Sequence, residues 1–284
     1  MPHLRRTEAA KIYDCARHNS PRRDARLVSL FLCDDCLKLF LKTAFNGRKP
    51  EYENCEIEGY CVYCLKHKNV KQRFFYLCTI CERVVRSYGI EKAASSFVLR
   101  RWKRLNELCS TDVSIVVNEP STPMTYDARK TEKESHVSKA DFLGIDDDTE
   151  EPIFAIEMKT GRNAIGRMSA FQLDVSDCDD ILSFYKELRL PTYLFHVEVT
   201  SEYFPPTELP IGRNAWWLNI FEMERCFKTI RMRQREQRPA AYFDKKCFHK
   251  FEEFPNHVLS GDFKTLTALS KKKIPKLYVL EKKG

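Results

Sequence analysis

The chain has 284 residues, of which 43% are hydrophobic and 31% charged, so it can build a buried core in one or two domains. It has no run of eighteen apolar residues and no apolar secretory segment at its N-terminus, so we expect neither a membrane span nor export. Residues 1–109 hold 22 Lys and Arg against 12 Asp and Glu, whereas residues 110–284 hold 26 against 28. This asymmetry favours a nucleic-acid partner for the first part of the chain. We expect the protein to be cytoplasmic, or nuclear in a eukaryote.

The first predicted elements are two cysteine-rich repeats. In each repeat, two pairs of ligands with two intervening residues are separated by thirteen or fourteen residues, and the repeats are offset by 45 or 46 residues. Such spacing predicts the closed, tetrahedral geometry of structural zinc, with two Zn²⁺ per chain. The expected groups are Cys15, His18, Cys33 and Cys36 for the first site and Cys61, Cys64, Cys78 and Cys81 for the second.

Each repeat ends in a short amphipathic segment that predicts a helix, so the unit resembles a treble-clef or zinc-ribbon finger. Basic residues lie on and between the ligand pairs and are candidates for DNA contact, although zinc that only replaces a missing core is the alternative. The DNA-binding candidates are Arg22, Arg23, Arg26, Lys68, Lys71 and Arg73. The chain has no export signal, so we expect the other five cysteines to be ordinary buried thiols: Cys55, Cys109, Cys178, Cys226 and Cys247.

Apolar periodicity then predicts alternating helices and strands. The expected elements are a helix over 91–109, a strand over 113–117, a polar loop from 118 to 138, hairpin strands near 139–145 and 153–159, a helix near 177–189 and a buried strand near 192–199. We expect a parallel crossover that runs from the strand near 153–159 through the helix near 177–189 to the strand near 192–199.

The hairpin carries a cluster of charged residues. Alternation along its second strand places Glu157 and Lys159 on one face, and folding about Thr149 puts Asp141 opposite Glu157. Two carboxylates can hold Mg²⁺ against a phosphodiester, and a nearby ammonium can orient the attacking water. A surface salt bridge is the simpler alternative.

Asp141 followed by Glu157-Met158-Lys159, in this order of helices and strands, resembles the PD-(D/E)xK nuclease superfamily, although Ala140 replaces the usual proline. The resemblance covers roughly residues 91–200 and implies an α/β, restriction-endonuclease-like core with a mixed central sheet flanked by helices. It further implies that Asp141 and Glu157 bind Mg²⁺ and that Lys159 assists the water. Glu107 and Gln172 are additional catalytic candidates by the same resemblance.

These observations predict a duplicated zinc-binding module at 1–90 and a nuclease domain at 91–284. The expected function is Mg²⁺-dependent cleavage of double-stranded DNA, first of all by a type II restriction-type endonuclease. Cutting both strands calls for two active sites, so we expect a homodimer. A DNA-repair or junction-resolving nuclease is the alternative within this class, and a non-catalytic, zinc-dependent nucleic-acid-binding protein is the alternative outside it.

Overall fold

The computed structural model describes residues 12–43, 45, 47–118, 140–161, 170–199, 211–233 and 238–260. The described residues divide into two compact units, the first up to Glu91 and the second from Lys92 onward. The expected loop, apart from Asn118, lies outside the described residues. In the part of the chain that is described, no helix is long and apolar enough to cross a lipid bilayer.

The first unit is built on a three-stranded antiparallel sheet in which the longest strand is central. Its elements are the hairpin β1 (Tyr13–Cys15) and β2 (Ser20–Arg22), strand β3 (Arg26–Leu32), helix α1 (Asp34–Thr43), strands β4 (Tyr52–Tyr60) and β5 (His67–Leu77), and the start of helix α2 (Thr79–Cys109). The sheet order is β3-β5-β4. Alternating residues of β3 and β5, such as Leu30 and Phe75, enter a core that also contains Phe40 and Phe45.

The second unit is α/β, with a mixed six-stranded sheet. Its elements are the rest of α2, β6 (Val113–Val117), β7 (Phe142–Asp146), β8 (Pro152–Gly161), β9 (Phe171–Asp174), α3 (Val175–Leu188), β10 (Thr192–Val199), β11 (Gly212–Asn219), α4 (Ile220–Cys226), β12 (Phe227–Arg233), β13 (Arg238–Phe243), β14 (His249–Lys250) and α5 (Phe254–Leu259). The six-stranded sheet has the order β14-β11-β10-β8-β7-β6, and β9, β12 and β13 form a separate sheet.

The centre of the six-stranded sheet is the pair β8 and β10, which run parallel. All eight residues of β10 are buried, as its continuous apolar pattern predicts. The chain passes from β8 to β10 through β9 and α3, so the predicted parallel crossover is present. Because β7, β6 and β11 pair antiparallel, the sheet is mixed.

One of the expected elements and three of the cysteines differ from the sequence-based expectations. The helix predicted over 91–109 begins at Thr79, because no proline separates it from the helical segment that follows Cys81. Cys226 and Cys247 are joined by a disulfide, which closes α4 onto the turn after β13, so they are not free thiols. Cys55 is exposed, whereas Cys178 is a buried thiol as expected.

Candidate functional site

The eight predicted zinc ligands lie in two groups of four. In each group, one candidate ligand atom from every residue lies within 4.8 Å of the others. A zinc ion 2.3 Å from each sulfur of a tetrahedron holds the sulfurs about 3.8 Å apart, so both groups are compact enough to hold zinc. The outer group contains Cys15, His18, Cys78 and Cys81, and the inner group contains Cys33, Cys36, Cys61 and Cys64.

This grouping corrects the one expected from the sequence. The expectation joined the pairs within each repeat, whereas the structure joins the first pair to the fourth and the second to the third. The reason is the length of the strands. The eleven residues of β5 separate Cys64 from Cys78, and an extended strand of that length spans about 37 Å. These two cysteines therefore lie at opposite ends of the sheet.

The antiparallel register brings the correct partners together at each end. At one end, the backbone N–H of Val62 donates to the carbonyl of Phe31 at 2.8 Å, which places the β4–β5 turn beside the end of β3. At the other end, the N–H of Ala16 donates to the carbonyl of Tyr76 at 2.8 Å, which places the β1–β2 turn beside the end of β5. Each metal group thus joins two segments distant in sequence.

The hydrogen bonds within each group favour the thiolate form of one cysteine and the protonated form of its partner. In the outer group, a hydrogen bond from Cys81 lowers the pKa of Cys15 to about 3, and the same contact raises the pKa of Cys81. His18 points Nδ1 at the sulfurs of Cys78 and Cys81, at 3.6 and 3.3 Å. In the inner group, a hydrogen bond from Cys36 lowers the pKa of Cys61 to about 5.

The predicted DNA-binding residues of this unit occupy different environments. Arg73 is only 1% exposed, forms ion pairs with Asp34 and Glu53 and donates a hydrogen bond to the carbonyl of Leu32. Its guanidinium therefore stabilises the sheet from inside, and we withdraw it as a candidate for phosphate contact. Three others form ion pairs at the surface: Arg26 with Glu82, Lys68 with Asp35 and Lys71 with Glu56. Arg22 and Arg23 are exposed.

The second unit brings Asp141, Glu157 and Lys159 together. Phe142 pairs with Ile156 in the β7–β8 register, so Asp141, directly before β7, faces the position of Glu157. The backbone N–H of Met158 donates to Asp141 Oδ2 at 2.6 Å, which fixes that carboxylate against β8. Lys159 Nζ lies 2.8 Å from Glu157 Oε1.

Helix α3 adds a carboxylate that the sequence analysis did not connect with the hairpin. Asp177 Oδ1 lies 3.5 Å from Lys159 Nζ, so the ammonium sits between two carboxylates. Asp177 is in the first turn of α3, where negative charge is favourable. No local spacing links it to the hairpin, because the chain passes through β9 between them.

The electrostatics of this site show an excess of negative charge. Burial raises the pKa of Glu157, and the charges of Asp177 and Asp180 raise it further, against the opposing effect of Lys159. Burial disfavours the charged form of Lys159, but the carboxylates of Glu157, Asp177 and Asp141 outweigh it and raise its pKa, so it stays an ammonium at neutral pH. Lys159 is therefore a cation held among the carboxylates of Glu157, Asp177 and Asp141.

The other two catalytic candidates lie at different places in the second unit. Glu107 is exposed near the end of α2. Gln172 is exposed on β9, in the three-stranded sheet, where it pairs with Tyr242. None of the protein-family models, curated proteins or solved structures that were compared with the chain matches it.

Proposed function

We propose that this protein is a Mg²⁺-dependent DNA endonuclease of the PD-(D/E)xK type, and that restriction-type cleavage of double-stranded DNA is its activity. The observation that carries the proposal is the convergence of Asp141, Glu157 and Lys159 at the centre of a mixed sheet, with Lys159 Nζ 2.8 Å from Glu157. Charged groups on the central strand of a sheet are costly to bury, so their presence there favours a function.

The roles of the three residues follow from their positions. Asp141 and Glu157 would hold the metal ion through the carboxylate oxygens that remain after their hydrogen bonds. Lys159, as an ammonium, would orient the attacking water and offset phosphate charge. A bound Mg²⁺ supplies an activated water and neutralises the charge that develops on the phosphodiester.

In the same proposal, the first unit binds two Zn²⁺ and aids DNA binding. Its eight ligands form two donor sets typical of structural zinc, Cys₃His and Cys₄. The exposed Arg22 and Arg23 are its strongest candidates for phosphate contact, because the other predicted basic residues are buried or ion-paired. A homodimer would supply one active site for each DNA strand.

Cleavage of plasmid DNA tests the proposal. Purified protein is incubated with mixed plasmids and Mg²⁺, and we expect Lys159→Ala to lower the cleavage rate by about 10²–10⁴-fold, the usual contribution of proton-transfer groups. Lys186→Ala is the matched control, because Lys186 is exposed in the last turn of α3, and it should cut like the wild type.

The products separate the possible functions. Discrete fragments support a restriction-type enzyme, whereas a smear or cleavage confined to branched DNA indicates a nonspecific or junction-resolving nuclease. If no form of DNA is cut with Mg²⁺ and DNA is still bound tightly, the chain is a binding protein without catalysis and the proposal fails.

A further inference from the structure

The first unit has an aromatic surface that neither the zinc groups nor the nuclease proposal uses. Phe74 and Tyr76 are two residues apart on β5, so they lie on the same side of the sheet. Each stacks on a ring from another strand: Tyr52 on Phe74 at 4.1 Å and 18°, and Tyr13 on Tyr76 at 4.0 Å and 8°. We call these four residues the aromatic face.

Tyr52, Phe74 and Tyr76 lie on the side of the sheet away from the core, whereas Tyr13 of β1 stacks on Tyr76 and also packs against the core. The intervening residues of β5, such as Arg73, Phe75 and Leu77, are buried on the other side. Tyr52 is 47% exposed, and Leu27, the β3 partner of Tyr76 in the register, is 38% exposed. Large apolar groups that stay accessible to water side by side mark a binding surface more often than scattered ones do.

The spacing of the two stacked pairs fits unpaired bases. Residues two apart on a strand are about 6.8 Å apart, twice the 3.4 Å between stacked bases of a duplex strand. Bases inside a duplex have both faces covered by their neighbours, so they cannot stack on protein rings. A single strand can place successive, separated bases on successive rings, whatever its sequence.

The charges around the aromatic face suit a phosphate backbone. Arg22 is exposed and pairs with Tyr13 in the β1–β2 register, and Arg23 follows it. The carboxylates of β4 are largely neutralised within the sheet, because Glu53 pairs with Arg73 and Glu56 with Lys71.

Glu51 is a negative group near Tyr76. The pKa of Tyr76 is raised mainly by burial, then by its contact with Tyr13, and then by the charge of Glu51. Lys49, two residues earlier in the chain, is exposed and carries the opposite charge. In these segments the exposed Arg22, Arg23 and Lys49 outnumber the exposed Asp24 and Glu51, and a positive balance complements a nucleic-acid backbone.

We propose that the aromatic face binds single-stranded nucleic acid by stacking unpaired bases on the Tyr13–Tyr76 and Tyr52–Phe74 pairs. This activity is independent of cleavage, and it would give the chain a site for unpaired strands in addition to duplex.

Fluorescence anisotropy of the full, zinc-loaded chain without Mg²⁺ tests the proposal. The probes are a labelled twelve-nucleotide oligothymidine and a duplex of the same length. Tyr13→Leu and Tyr52→Leu keep an apolar side chain and remove the ring. We expect each to weaken binding of the single strand by about 5-fold to 100-fold, the usual loss for one stacked base, and to change duplex binding less than twofold.

Leu39→Ala is the control for loss of an exposed apolar side chain, because Leu39 on α1 is 38% exposed, as Leu27 is. It should bind the oligothymidine like the wild type. Unchanged single-strand affinity in both tyrosine variants overturns the proposal, and so does a wild type that does not bind the single strand.

Photocrosslinking keeps the proposal testable if a variant fails to fold. Wild-type protein is crosslinked to an oligonucleotide that carries 5-iodouracil, and the modified peptides are identified by mass spectrometry. Crosslinks on the peptides that contain Tyr13, Tyr52, Phe74 or Tyr76 support the proposal. Crosslinks only outside the first unit overturn it.

Discussion

The nested grouping of the zinc ligands can be tested by removing two ligands at a time. His18→Ala with Cys81→Ala removes two ligands from the outer group and leaves the inner group complete. His18→Ala with Cys36→Ala removes one ligand from each group. We therefore expect the first variant to keep one strongly bound zinc ion and the second to keep none. Grouping within each repeat predicts the reverse, because His18 and Cys36 would then share a metal.

The expected loss of zinc affinity follows from the binding free energy of a four-ligand zinc site. Structural zinc contributes about 10–16 kcal/mol at neutral pH, or about 2.5–4 kcal/mol per ligand if the four share it equally. Losing one ligand then weakens the site by about two to three orders of magnitude. A chelator whose affinity falls between those of the intact and three-ligand sites removes zinc from the damaged sites only.

The two metal groups close loops of different length, so they also differ, by a smaller amount, in their contribution to the free energy of unfolding. His18 and Cys78 of the outer group are 60 residues apart, and Cys36 and Cys61 of the inner group about 25. In the chain-entropy treatment of crosslinks, these loops correspond to about 4.3 and about 3.5 kcal/mol. We therefore expect loss of the outer group to destabilise the unit by about 0.8 kcal/mol more than loss of the inner group.

The assay is zinc content after dialysis against the chelator, followed by cobalt substitution. Cobalt in the variant without His18 and Cys81 should give the absorption of a four-thiolate site, because the remaining group contains only cysteine. Far-ultraviolet circular dichroism checks that the first unit stays folded. Retention of one zinc by the variant without His18 and Cys36, and of none by the other, would refute the nested arrangement.

Three further predictions concern single residues. Asp177→Asn should lower kcat about tenfold or more with little change in KM, because it removes one of the two carboxylates that hold Lys159, and Asp177→Glu should partly restore it in steady-state kinetics. Without divalent metal, Glu157→Gln should gain stability relative to the wild type in thermal unfolding as the pH is raised from 4.5 to 7, because its side chain carries no charge at this position. Because the pKa of Glu157 is raised in the folded protein, its ionised form lowers the stability of the wild type. This loss is absent below the ordinary pKa of 4.5 and grows as the pH rises through the raised pKa. A stability difference between variant and wild type that does not shrink in acid contradicts this reasoning. Arg73→Met should cost about 1–3 kcal/mol in denaturant unfolding and leave DNA affinity of the folded protein unchanged, because the guanidinium is buried and paired with Glu53.

Local patterns were sufficient to predict the strands that carry the candidate active site. The predicted strands over 113–117 and 192–199 have the bounds of β6 and β10, and the hairpin folds so that Asp141 faces Glu157. A two-residue period and a polar turn define a hairpin from sequence alone, because both strands are adjacent in the chain.

The features that the sequence did not predict depend on contacts between distant segments. The zinc grouping follows from the register of β3 on β5, and the repeat spacing alone fits either grouping. The Cys226–Cys247 bond likewise depends on how α4 meets the turn after β13. Asp177 approaches Lys159 only in the folded chain, because β9, a strand of another sheet, lies between β8 and α3 in the sequence.

The hairpin also breaks two rules of a stable strand at positions that favour the proposed site. Gly144 lies in the middle of β7, where an added Cβ would come within 2.2 Å of the Phe154 ring, so the ring of β8 occupies the space that a side chain would fill. This close approach holds β7 tightly against β8, and three residues earlier, on the opposite face of the hairpin, Asp141 accepts a hydrogen bond from the backbone N–H of Met158. A glycine within a strand lowers its intrinsic stability, and charged groups on a central strand lower it further. The hairpin contains both destabilising features, the glycine and the charged groups. A requirement for the position of Asp141 relative to Glu157 explains them better than packing alone.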